Sequence, residues 1–160
     1  MDISFKIENE VNEVFNVRTS AFIRHNDEVL VCVHKDKDYC SLPGGRVKLN
    51  ESSSKALVRE LKEELNYDIR EEELKIVRIV ENFFTYKDGR VFHEYLFIYE
   101  LAIDDSIYNG DFKNLENENI TMNWMKEEAF ILYNVKPGIC KGIVADNSLK
   151  HIILNEKAND

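Results

Sequence analysis

One segment of this 160-residue chain reads strongly as helix, and most of what surrounds it reads as strand. Between Ser52 and Leu65, Leu57, Leu61 and Leu65 recur at four-residue spacing with Val58 widening the stripe, which is the period of an amphipathic helix. A serine at 52, 53 or 54 can cap its start. Asn66 stands just past its end, where the chain often turns left-handed and Asn is the best substitute for Gly. At about 100° per residue, Glu60, Glu63 and Glu64 share one arc of this helix, next to the leucine arc that can anchor it to a core. Carboxylates crowded on one face repel each other, by roughly 0.2–0.5 kcal/mol per pair. Taken alone, three glutamates describe a solvated acidic face. The other reading is a site for a hard cation, because oxygen-only ligands suit Mg²⁺, Mn²⁺ or Ca²⁺ better than Zn²⁺. Arg59, one turn before Glu63, can pair with that carboxylate and fix its orientation.

The flanking segments alternate in the manner of strands. Ile3–Ile7, Phe15–Arg24 and Glu28–His34 come first, the last two separated by the polar turn His25-Asn26-Asp27. Cys40–Leu42 follows, ended by the breaker Pro43-Gly44-Gly45. Beyond the helix, Leu74–Thr85 and Arg90–Ile103 form a hairpin around Tyr86-Lys87-Asp88-Gly89, since Asp-Gly between two apolar runs is a strong hairpin signal. Segment 104–119 is polar and predicts a surface loop. Ile120–Met125 predicts a strand, Glu127–Tyr133 a short helix, 137–144 a second helical stretch and His151–Leu154 a closing strand. With no repeat, no Gly/Ser linker and two prolines, residues 1–160 predict one α/β domain with a mixed sheet.

Charge narrows the partners. Thirty acidic side chains against 21 basic leave a net charge of −9, which argues against a nucleic-acid polymer or an anionic membrane surface. A small phosphorylated ligand stays open, because a metal ion can supply the missing positive charge. Cys32, Cys40 and Cys140 form no CxxC pair and predict three reduced, buried thiols. The charged start MDISFKIENE does not have the form of a signal peptide, and no apolar run is long enough to span a membrane, so the expected compartment is the cytosol.

The order of residues from Gly45 to Tyr67, GRVKLNESSSKALVRELKEELNY, resembles the signature of the Nudix hydrolase family. That box reads G-x5-E-x7-R-E-U-x-E-E-x-G-U, with U aliphatic. Here Gly45 is followed after five residues by Glu51, and after seven more by Arg59-Glu60-Leu61, Lys62 and Glu63-Glu64. The preceding Leu42-Pro43-Gly44-Gly45 is similar to the family's approach to the box. Two positions depart from it. Asn66 stands for the final Gly, a replacement that tolerates a left-handed backbone, and Tyr67 stands for the aliphatic residue.

The resemblance implies a Nudix α/β/α sandwich with a mixed β-sheet and the loop–helix–loop of the box. It implies a Mg²⁺-dependent enzyme, with Mn²⁺ as a substitute, that splits the diphosphate linkage of a small-molecule nucleotide derivative. Carried over residue by residue, Glu60, Glu63 and Glu64 are the expected metal ligands, joined by the Gly44 carbonyl. Arg59 orients them, and Glu51 holds the loop–helix–loop together or reaches the metal through water. In the family an auxiliary carboxylate lies before a late Trp-bearing strand. The loop 114–119 before Trp124 makes Glu118 the first candidate and Glu116 the second. Phe84 and His93, beside the predicted hairpin, are the expected substrate contacts. The rival reading is a Nudix domain that binds a nucleotide without cleaving it, and a third is a relative with a non-nucleotide diphosphate substrate. Retention of every box carboxylate favours hydrolysis. Oligomeric state stays open between monomer and homodimer.

Overall fold

The structure, a computed structural model, describes residues 6–8 and 12–156. Of the first expected strand, Ile3–Ile7, residues 3–5 lie outside the described residues. Among the described residues there are ten strands: β1 Lys6–Glu8, β2 Glu13–His25, β3 Glu28–His34, β4 Cys40–Ser41, β5 Gly44–Arg46, β6 Lys75–Thr85, β7 Val91–Ala102, β8 Phe112–Lys113, β9 Ile120–Lys126 and β10 Lys150–Glu156. Two α-helices, α1 Ser53–Leu65 and α2 Glu127–Leu132, accompany them, with 3₁₀ turns at 71–73 and 138–143. The strands form one sheet in the order β10-β6-β7-β2-β3-β9-β8. It is mixed, because β2 runs parallel to β7 and β10 parallel to β6, while the hairpins β2–β3 and β6–β7 are antiparallel.

The alternation of each strand feeds two cores. On one face, Leu57, Leu61 and Leu65 of α1 pack with Ala21, Ile23, Leu30, Cys32 and Met122. Fully burying each leucine contributes about 1.5–3 kcal/mol, which is what holds the acidic helix to the sheet. On the other face, Phe22, Val29, Val31, Val80 and Ile98 pack with Phe130 of α2 and with Cys140 and Ile143 of the second 3₁₀ turn. Arg24 ties that layer down, donating to Glu100 at 3.2 Å, Glu127 at 2.6 Å and the Ile143 carbonyl at 2.8 Å. The result is the α/β/α sandwich. Cys32, Cys40 and Cys140 are all buried and unbridged.

The decisive local feature is a split in the sheet. β2 and β3 pair only next to their turn, Arg24 with Val29 and His25 with Glu28, and then diverge. β5 takes up the freed edge of β2, aligning Gly44 with Ser20 and Arg46 with Arg18, while β4 pairs with β3. The expected breaker Pro43-Gly44-Gly45 is thus half strand. Gly44 sits at φ +152°, and a Cβ there would run into the Thr19 and Ser20 backbone, so glycine is what lets β5 come so close. One further expectation changes, because the polar loop 104–119 contains β8, which pairs with β9. The helical stretch expected at 137–144 is a 3₁₀ helix over residues 138–143.

Candidate active site

α1 packs against β2 and β5 beside this split. Its first turn is capped by Ser52, whose hydroxyl accepts from the Lys55 amide at 3.2 Å. Its last turn ends at Asn66, in the left-handed conformation at φ 57° and ψ 31°, with its amide donating to the Lys62 carbonyl at 3.0 Å. Asn therefore does what Gly would do at this position. Tyr67, the other departure from the box, is buried with its ring 6.4 Å from that of Phe112.

Arg59 organises the carboxylates. Its Nε and Nη2 grip Glu51 at 2.8 and 3.0 Å, and its Nη1 donates to Glu60 at 2.8 Å and Glu63 at 3.3 Å. A further Nη2 bond to the Arg46 carbonyl, at 3.1 Å, links the helix to β5. Glu51 also accepts from the Lys48 amide, and the Arg59 guanidinium above all holds its carboxyl below the usual range. Glu51 is thus a structural brace. Glu60 is buried with its carboxyl group laid directly on Gly45, where any Cβ would collide with it.

One oxygen each from Glu60, Glu63 and Glu116 lie within 4.8 Å of one another. This is an all-oxygen donor set of the kind a hard divalent cation takes, so the residues present fit the metal that the box implies. Glu64 sits next to this trio, accepting from the Gly44 amide and facing Arg18. Burial, with Glu60 and Glu116 adding repulsion, pushes its carboxyl up to about 8. Glu116 is likewise held above its ordinary range, by desolvation first and by Glu63 and Glu60 after it.

The loop register places the two acidic candidates differently. The Leu115 amide donates to the Glu64 carbonyl at 2.9 Å, docking the loop on the end of α1. The Asn114 side chain then accepts from the amides of Glu116 and Asn117, at 2.9 and 3.0 Å, and turns Glu116 over the helix. Glu118 is outside the carboxylate cluster and lines a surface groove with Val33, Lys35, Lys113, Asn119 and Thr121. The loop is anchored at its entry, by Leu115, rather than at the Trp124-bearing strand where it exits.

Phe84 and His93 also separate. Phe84 is in register with Phe92 and Phe83 with His93, so consecutive residues point to opposite faces of the sheet. Phe84 stacks on Phe92 at 4.8 Å. His93 stacks on Phe83 at 4.3 Å, with Phe15 and Tyr95 edge-on, on the other face. One ligand on one face of the sheet therefore cannot touch both.

A split sheet with an acidic helix packed beside the gap makes an α/β/α sandwich that carries a cluster of carboxylates at the split. The sequence model of the NUDIX domain matches residues 14–139, and the chain belongs to that family. It is a Nudix pyrophosphohydrolase, of a family that acts on nucleotide derivatives and generally uses a divalent metal. Among solved structures it is similar to the mutator MutT protein of Bacillus halodurans, at 18% identity and TM-score 0.66, covering 85% of this chain and 86% of that one. It is similar to the MutT protein of Methanosarcina mazei Go1, at 16% identity and TM-score 0.59, covering 82% and 91%. A structure described as a UDP-X diphosphatase shares 17% identity at TM-score 0.52, covering 86% and 66%. At these identities the likeness is one of fold. No curated protein sequence matches the chain.

Proposed function

We propose that this enzyme hydrolyses, with Mg²⁺, the diphosphate linkage of a nucleoside diphosphate derivative, giving a nucleoside monophosphate and a phosphorylated remainder. The observation that carries the reading is the convergence of Glu60, Glu63 and Glu116 oxygens on a helix whose arginine clamp is complete. Glu60 and Glu63, with Glu64 and the Gly44 carbonyl, are the residues that would hold Mg²⁺, or Mn²⁺ in its place. When bound, the cation supplies charge neutralisation of the phosphate oxygens and acidifies a coordinated water. Arg59 keeps the carboxylates from splaying under their mutual repulsion. Glu116, a member of that cluster whose carboxyl is held above its ordinary range, is the proton acceptor, in place of Glu118 as the auxiliary carboxylate. Phe84 offers a ring face for the base, and His93 supports the sheet from behind. The name of the UDP-X diphosphatase, said of that protein, keeps a nucleoside diphosphate joined to a second group among the substrates worth testing. The net charge of −9 favours a small nucleotide over a nucleic-acid polymer or a membrane. We place the enzyme in the cytosol, as a monomer or homodimer. The test is a panel of nucleoside triphosphates, ADP-ribose, nucleotide sugars and dinucleoside polyphosphates with Mg²⁺, reading phosphate release with and without added phosphatase. Cleavage of at least one class supports the reading; inertness across the panel moves the chain to the binding-only class.

A further inference from the structure

On the sheet face that carries Phe84, three rows of side chains run in register across β2, β7 and β6. Val14, Phe92 and Phe84 form the first, Asn16, Glu94 and Asn82 the second, and Arg18, Leu96 and Val80 the third. Successive rows are two residues apart along each strand, a step of about 7 Å. The third row brings Arg18 into electrostatic reach of Glu64, so the sequence of rows leads from an aromatic platform towards the box.

The middle row is unusual. Asn16, Asn82 and Glu94 are all at least nine-tenths buried, at 1%, 8% and 8% exposure. Glu94 faces Arg18 and Arg46, with the Asn82 side chain beside its carboxylate. Only the amide nitrogen can donate to a carboxylate, so this neighbour favours Asn82 turning its nitrogen to Glu94 and its oxygen away. Asn82 Oδ1 has no hydrogen-bond partner among the described residues, and neither has Asn16 Oδ1 or Arg46 Nε. Buried polar atoms are almost always satisfied, and leaving one unmet is costly. Two acceptors in one row and a guanidinium donor beside them call for a ligand that brings hydroxyl or N–H donors next to an anionic group.

We infer that Asn16 and Asn82, the latter oriented by Glu94, form a sugar subsite that accepts hydrogen bonds from ribose hydroxyls, between a base stacked on Phe84 and a phosphate near Arg18 and Arg46. The order of the rows assigns the sugar: the donors fall between the aromatic row and the arginine, where a nucleotide carries its ribose. This inference rests on the proposed nucleotide reading and specifies it, since it selects ribonucleotides over deoxyribonucleotides. Glu94 is a positioning residue here, acting through Asn82.

The test is calorimetric binding of AMP, GMP, CMP and UMP against their 2′-deoxy counterparts, needing no turnover, with wild type, Asn82→Leu and Asn16→Leu. Wild type should bind the preferred ribonucleotide about tenfold more tightly than its deoxy form, the usual weight of one buried hydrogen bond. Each Leu variant that keeps a wild-type melting curve should lose that discrimination. Equal affinity for ribo and deoxy forms in wild type overturns the sugar assignment, as does a folded Asn82→Leu variant that still discriminates. A further pair, GMP against 1-methyl-GMP, separates the other donor source: loss on methylation with indifference to the 2′-hydroxyl places a base N–H in the row and also overturns it. Inertness in the hydrolysis panel combined with ribose-selective binding would sink the proposed activity and leave this subsite standing.

Discussion

Glu64 makes the metal-free protein sensitive to pH in an unusual direction. Its carboxyl is raised from 4.5 to about 8 by burial and by the neighbouring Glu60 and Glu116. An acid with a raised folded pKa binds its proton more tightly in the folded chain than in the unfolded one. Between those two values the folded state holds more protons, so stability is full below about 4.5 and falls as pH rises towards 8. At about 1.36 kcal/mol per unit the shift bounds the loss at roughly 5 kcal/mol. Shared repulsion among the carboxylates and residual water access bring the expected loss to roughly 2–3 kcal/mol. For a chain of this length each kcal/mol moves Tm by about 2–4 °C, so metal-free protein should melt roughly 5–10 °C lower at pH 8 than at pH 5. The assay is thermal unfolding in chelator across that range, read as the difference between wild type and Glu64→Gln. The subtraction removes the opposite contribution of His34, whose burial depresses its pKa. Excess Mg²⁺ should stabilise wild type most at the alkaline end, where Glu64 is free to ionise. A difference curve that is flat, or that climbs from pH 5 to 8, would refute the argument.

Three other outcomes are expected. Because Asn66 is left-handed, Asn66→Gly should be neutral or mildly stabilising while Asn66→Val costs on the order of 1 kcal/mol or more; equal melting temperatures would contradict the cap. Glu116→Gln should lower kcat by roughly 10²–10⁴-fold, with Glu118→Gln nearly silent when the two are assayed side by side across pH; the reverse pattern would restore Glu118. Gly45→Ala should push the Glu60 carboxyl off its seat and away from Arg59, weakening Mn²⁺ binding by about 10–100-fold in a titration while the circular dichroism spectrum stays unchanged; wild-type affinity would mean the seat does not matter.

The box helix was legible because two independent codes overlap on it. The leucine period specifies the face that packs on the sheet, and the fixed spacing of Arg59 and the glutamates identifies the face that carries the carboxylates. The long hairpin was legible through Asp88-Gly89. What escaped was everything that depends on a distant partner. Nothing local in Gly44–Arg46 says strand; it becomes one because β2 leaves an edge open there. Phe112–Lys113 is likewise a strand only by pairing with β9. The choice between Glu116 and Glu118 turned on a main-chain bond to Glu64, which leaves no mark in residue types. Phe84 and His93 were read as one cluster because both lie near the hairpin, although strand alternation with the pairing of Phe84 to Phe92 would have put them on opposite faces.

Leu115 is 63% exposed in a polar loop, an odd place for a leucine, yet its side chain is not what matters there. The tether to Glu64 belongs to its amide, so any residue except proline at position 115 supplies it equally well. The reach of the Glu116 carboxylate over the helix is thereby insulated from ordinary drift. Residues around the loop can be exchanged freely, and added length beyond Asn117 is absorbed at the surface. One residue inserted between the tether and Glu116 would instead swing the carboxylate away. The hydrolase could thus diversify the rim of its pocket while the spacing of its chemistry is kept by the backbone.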